Sequence, residues 1–227
     1  KGTGKWSAIA AMDENDPLTL ITEAVYARLL SALYPERIKA ASLYSGKLKV
    51  ESGKLSDNAQ LSIEDVRQAL YAAKLISYAQ GFSLLRHASE HYGWDLDYGT
   101  IARIWRKGCI IRSVFLQKIT EAYRKDPDLE NLLFDDFFHT KIQEALPAWR
   151  RVVAEGALSG VALPAMSSAL NYFDGLRTLY SAANMIQAQR DYFGAHTYER
   201  TDRERGHFFH TNWTGEGGNT VSGTYSV

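Results

Sequence analysis

Apolar residues recur three and four positions apart along most of this chain, and they almost never alternate. That period belongs to helices with one buried stripe. The first short helix is predicted over 6–12. Asp13-Glu14-Asn15-Asp16-Pro17 then breaks the chain, with Asp16 placed as an N-cap and Pro17 at the first helical position of the next helix. Leu18, Ile21, Val25, Leu29, Leu30 and Leu33 form its stripe, Pro35 ends it, and a third helix is predicted over 36–44. The longest run, 61–91, opens on Ser62 with Asp65 in the capping-box position. At 1.5 Å per residue it spans about 45 Å, enough for the spine of a domain. Its small residues, Ala69, Ala73, Ala79, Gly81 and Ser83, point to close helix–helix approach.

Beyond the turn Gly93-Trp94-Asp95, helices are predicted over 97–105, 110–123, 129–138 and 141–155, with a break or kink at Pro147. A last helical stretch covers 164–192, with a break expected at Asp174-Gly175. Runs 61–91 and 161–192 have similar length and texture, which leaves a pseudo-repeat of two helical halves open. Two stretches lack the period. Residues 45–60, with Gly46, Gly53, Lys47, Lys49 and Lys54, read as a surface loop with room for one short strand. Residues 200–227 form a tail rich in Gly, Ser and Thr towards its end. The tail carries Phe208, Phe209, Trp213 and Tyr225, which a free polar tail has no cause to hold. The fold expected is all-α, with an extended C-terminal tail.

Composition narrows the function more than the fold. In 227 residues Lys plus Arg and Asp plus Glu are equal at 26 each, and 45% are hydrophobic. A full core is available, and no bulk charge favours nucleic acid or an acidic membrane. An anion site must therefore be a local cluster. No apolar run approaches membrane-span length and no signal peptide is visible. The single cysteine, Cys109, sits in an apolar run and reads as a buried small side chain; it fits a reducing compartment, and a cytoplasmic location is expected.

Two clusters have the right residues for an anion. In Lys1-Gly-Thr-Gly-Lys-Trp6 the glycines let successive N–H groups face one ligand, while Lys1, Thr3 and Lys5 add donors. The Gly spacing is not that of a Walker A loop, and a solvated loop before a helix is the other reading. In 187–198, Arg190 occupies the last turn of a helix and His196 lies just past Gly194, which is placed as a left-handed helix stop. The arginine fork suits phosphate; equally, Arg190 could cap its own helix and His196 pack in a turn. His87 and His91 share a helix face, but no third ligand accompanies them and no metal is expected.

Several segments, in order, resemble the 6-phosphogluconate dehydrogenase family: 1–6, Ile-Thr-Glu-Ala-Val-Tyr-Ala-Arg (21–28), Gly-Cys-Ile-Ile-Arg-Ser (108–113), Gln-Arg-Asp-Tyr-Phe-Gly-Ala-His-Thr-Tyr (189–198) and His-Thr-Asn-Trp-Thr-Gly (210–215). Ordered matches across the whole chain are far more specific than one short motif. The resemblance implies an all-helical substrate-binding and dimerisation domain over 1–198, and a tail over 199–227 that crosses to the partner of a homodimer. It implies the substrate 6-phosphogluconate and the cofactor NADP, bound mainly by an N-terminal domain absent from this chain. It places Lys1, Thr3 and Arg28 on the substrate phosphate within one subunit, and Arg190 and His196 in the site of the other. The family's catalytic motif, Lys-x-x-His-Asn-Gly-x-Glu-Tyr, does not occur in these 227 residues, so no catalytic residue is assigned. Two alternatives stand beside it: the helical domain of a related β-hydroxyacid dehydrogenase acting on an unphosphorylated acid, and a non-enzymatic helical dimerisation module.

Overall fold

A computed structural model describes residues 2–44, 61–108, 111, 113–213 and 215. The loop expected at 45–60, the buried role of Cys109, the ligand Lys1 and the aromatic Tyr225 lie outside the described residues. Nine α-helices, one 3-10 turn and one pair of two-residue strands make up the regular structure among those described. The chain forms two compact units, Lys1–Asp174 and Gly175–Val227.

The first unit is built on α4, Ile63–Tyr92. Its start is the predicted capping box: the Asp65 N–H donates to Ser62 Oγ at 3.0 Å and the Ser62 N–H donates to Asp65 Oδ2 at 2.9 Å. Its end is Gly93, left-handed at φ 66°, where the lack of a Cβ removes the steric cost. Alanines 69, 72, 73 and 79 of α4 are buried beside Leu75, Ile76 and Phe82. They let α7, Asp136–Leu158, lie close and insert Phe138, Ile142, Trp149 and Val152 into the same core. Trp149, fully buried, also satisfies its indole N–H on the Met166 carbonyl of α8, Pro164–Leu176. Helices α5, Tyr98–Gly108, and α6, Leu116–Lys125, close the other side through Ala102, Leu116, Ile119 and Tyr123.

Ahead of α4 come α1, Thr3–Asp13, α2, Thr19–Ser31, and α3, Tyr34–Tyr44. Helices α1 and α2 pack at close range: a Cβ on Gly4 would sit 3.0 Å from Val25 Cγ2. In the second unit, α9, Ala183–Gly194, is followed by β1, Tyr198–Glu199, paired antiparallel with β2, Phe208–Phe209.

Several local expectations give way to tertiary context. Asp16 does not cap α2, which starts three residues later; its buried carboxylate bonds α4 instead. Pro147 does not break α7, which runs through it. An interior proline costs about 3 kcal/mol, and the buried stripe from Phe138 to Val152 outweighs that. The helix predicted over 129–138 is a 3-10 turn at Leu132–Phe134, because Asn131 and Asp135 each accept an N–H two residues on and restart the chain. Helix α6 begins at Leu116 rather than 110. The last helical stretch parts after Leu176, beside the expected break at Asp174-Gly175, where the two units also divide; helix resumes at Ala183, so its two pieces do not repeat the 30-residue α4. Gly194 is not the left-handed stop; Ala195 is, at φ 50°.

Candidate anion-binding site

In the first unit, Gly2, Gly4 and Lys5 of the α1 start line one groove with Arg28 from the last turn of α2, a space of about 620 Å3. Thr3 is the first residue of α1 and is exposed. No side chain caps this helix start and no acid lies in its first turn. Its N–H groups therefore carry the positive end of the helix dipole, and Lys5 and Arg28 add full charges. The rest of the lining, with Ile9, Met12, Ile21, Val25 and Leu29, is largely apolar, and the donors at Lys5, Arg28 and the helix start are of the kind that suits an anion. Arg28 thus shares a groove with Gly4 and Gly2, 24 and 26 positions away in sequence, and with Lys5, read from the sequence as a donor but not assigned to the substrate.

In the second unit, Arg190 and His196 are joined by a residue that the sequence reading passed over. Arg190 Nη1 donates to Gln187 Oε1 at 3.0 Å, while the Gln187 amide nitrogen donates to the carbonyls of His196 and Thr197. The His196 ring lies over Gly194, where a Cβ would stand 2.9 Å from its Nε2. Glycine at 194 is needed for that close approach, not for a left-handed backbone. His196 also lines a cavity of about 710 Å3 with Asn184, Gln187, Arg200, Phe208 and Trp213; Arg190 is not among its lining residues.

The anchor of this unit is Asp191, beside Arg190 and 0% exposed. One oxygen accepts the Thr197 N–H at 3.0 Å and His210 Nδ1 at 2.9 Å; the other accepts the Thr211 N–H at 3.1 Å and the Trp213 indole N–H at 2.9 Å. Burial pushes this carboxyl up, but the bonds from His210, Thr211 and Trp213 outweigh it and hold the group below its usual range. Asp191 thereby folds 195–213 back on α9. The sequence signal for it was that Asp191 and Thr197 fall in one family-like segment, 189–198, and His210, Thr211 and Trp213 in another, 210–215.

His87 and His91 each pair with a separate carboxylate, Asp16 and Glu14, at 2.8 Å. Among the described residues, no helix is long and apolar enough to cross a membrane.

Residues 1–213 match the family described as 6-phosphogluconate dehydrogenase, C-terminal domain. The chain belongs to that family. It is 52% identical over 227 residues to the decarboxylating 6-phosphogluconate dehydrogenase of Aggregatibacter actinomycetemcomitans, and 51% identical to that of Homo sapiens. Each match covers 100% of this chain and 46% of the relative, so the chain spans about half the length of these proteins. Among solved structures, Plasmodium falciparum 6-phosphogluconate dehydrogenase superposes with a TM-score of 0.81 at 40% identity, over 94% of this chain and 45% of that one. That protein is described in its apo form, with its cofactor NADP+ and with its substrate 6-phosphogluconate.

Proposed function

We propose that the chain is the substrate-phosphate and dimerisation half of a decarboxylating 6-phosphogluconate dehydrogenase. The whole protein would oxidise and decarboxylate 6-phosphogluconate to ribulose 5-phosphate, with hydride passing to NADP. The observation that carries this reading is the groove where Arg28 meets the uncapped start of α1. It is a phosphate cradle of backbone N–H groups, Thr3 and a guanidinium, with Lys1 as a further ligand. Arg190 and His196 complete the site of a second subunit. Exposed Met185 (74%), Ile186 and Phe193 (77%) on α9 support a homodimer, because a monomer gains nothing by showing such a cluster to water. In this reading the tail over 199–227 crosses to that partner, and the assembly is cytoplasmic.

The described residues contain no βαβ unit, whose glycine-rich turn would cradle a dinucleotide. NADP therefore falls to the part of the longer protein that this chain does not span. The chain's own residues bind the substrate's phosphate and fix its orientation; they move no proton. The test is NADPH formation from 6-phosphogluconate by the full-length protein beside this chain alone. Activity in the former and none in the latter is expected. A folded, dimeric full-length protein without activity would sink the reading.

A further inference from the structure

Four side chains on one face of α4 hold the connection between α1 and α2. Gln80, Ser83, His87 and His91 follow at spacings of three and four, and the connection runs against them in the opposite direction. Gln80, fully buried, accepts the Leu20 N–H at 3.1 Å and donates to Thr19 Oγ1 at 2.8 Å. It thus caps α2, whose own N-cap residue, Leu18, offers no side-chain bond. Ser83 Oγ donates to Asp16 Oδ2 at 2.7 Å, and His87 Nδ1 meets the same oxygen at 2.8 Å. Arg86 Nη2 lies 2.9 Å from His87 Nε2. A guanidinium only donates, so Nε2 accepts and the ring proton sits on Nδ1, aimed at Asp16. His91 Nδ1 completes the row at Glu14 Oε2.

This row matters because the α1–α2 pair has little else to hold it. Helix α2 buries no residue of its own and α1 buries only Ala8 and Ala11. Leu20, in the first turn of α2, packs against the core cluster, and Leu18 just before it is buried. The orientation of the pair is therefore set by directional hydrogen bonds, which define geometry more narrowly than a few apolar contacts.

We propose that this polar stripe is the positioning device of the phosphate groove, with Gln80 and His87 as positioning residues that touch no substrate and act through Arg28 and the α1 start. The inference rests on the phosphate reading of that groove. Small misplacement of a clamp is enough to weaken it.

The test uses full-length protein carrying Gln80→Leu, His87→Leu or the milder Ser83→Ala, with Arg28→Ala measured beside them. Gln80→Leu and His87→Leu are expected to raise KM for 6-phosphogluconate about tenfold while kcat and KM for NADP stay within about twofold. Amide exchange over residues 14–28 should quicken in both. His87→Asn keeps an N–H donor at the place of Nδ1 for Asp16 Oδ2, and should restore most of the substrate KM lost in His87→Leu. Should the leucine variants fail to fold, Ser83→Ala and His87→Asn carry the same comparison at smaller amplitude. If Arg28→Ala raises the substrate KM and the stripe variants do not, the positioning role is wrong. If Arg28→Ala leaves that KM unchanged, the phosphate reading itself fails, whatever the stripe does. Equal rises in both KM values, or no recovery with His87→Asn, would mark the stripe as merely structural.

Discussion

Replacing Asp191 by alanine removes the one buried side chain of α9 and four hydrogen bonds at once. Charge-assisted bonds are worth about 1.5–3 kcal/mol each, which would suggest about 6–12 kcal/mol for four. The true cost is smaller. His210 and Trp213 are partly exposed, so their donors regain water in the variant. Breaking a buried charged network typically costs about 3–5 kcal/mol, and the lower end applies here. The segment it anchors has little of its own to set against that: β1 and β2 are two residues each, and an isolated hairpin is marginal in water. The expected result is local release of 195–213. A loss of about 3 kcal/mol lowers amide protection at Thr197 and Thr211 about 100-fold. Trypsin should cut faster at Arg200, Arg203 and Arg205, while the helical core of the first unit melts as before. The same contribution depends on pH in a known direction. The folded carboxyl lies below its unfolded value of about 3.9, so its stabilisation is complete above that value and disappears as pH falls through the lower folded one. Unchanged exchange at Thr197 and Thr211, with unchanged trypsin cutting, would refute the claim that Asp191 holds the segment.

On the proposed reading, Arg190→Ala in the full-length protein costs one charge-assisted phosphate contact and should raise the substrate dissociation constant about 10- to 100-fold; an unaltered KM for 6-phosphogluconate would take Arg190 out of the site. Gly194→Ala adds a methyl against the His196 ring at 2.9 Å on a backbone that tolerates it, so the ring must move. The melting temperature should hold while KM for the substrate rises several-fold, about 1 kcal/mol of lost contact; an unchanged KM would mean that His196 binds nothing. Asp65 accepts from the Ser62 N–H, from Arg151 and from the Ser62 hydroxyl, which hold its carboxyl at about 2. Asp65→Asn should therefore lower the denaturation midpoint above pH 4 and progressively lose its effect as pH falls through about 2, where the native carboxyl itself takes up its proton; an undiminished effect at low pH would contradict the capping-box account.

The helices were legible because their signals are local. The 3.6-residue apolar period, the Ser62–Asp65 box and Gly93 each operate within one or two turns, and the sequence located α4 to within a residue or two. The clusters of glycine with basic side chains at 1–5 and 190–196 were also readable, since glycine next to Thr, Lys or Arg is a short-range pattern. What the sequence by itself determined is the all-α class and which residue types stand ready for an anion. The tertiary structure alone decided the rest. Pro147 stays helical because a core on one side outweighs a local penalty. Asp16, read as a cap, turns inward because its partners are Ser83 and His87, 67 and 71 positions away. Gln80 reaches across 60 residues to cap α2, and Asp191 gathers Thr211 and Trp213 from beyond the strand pair. Buried polar groups must find partners wherever the fold brings them, and no periodicity along a chain encodes which distant donor will arrive.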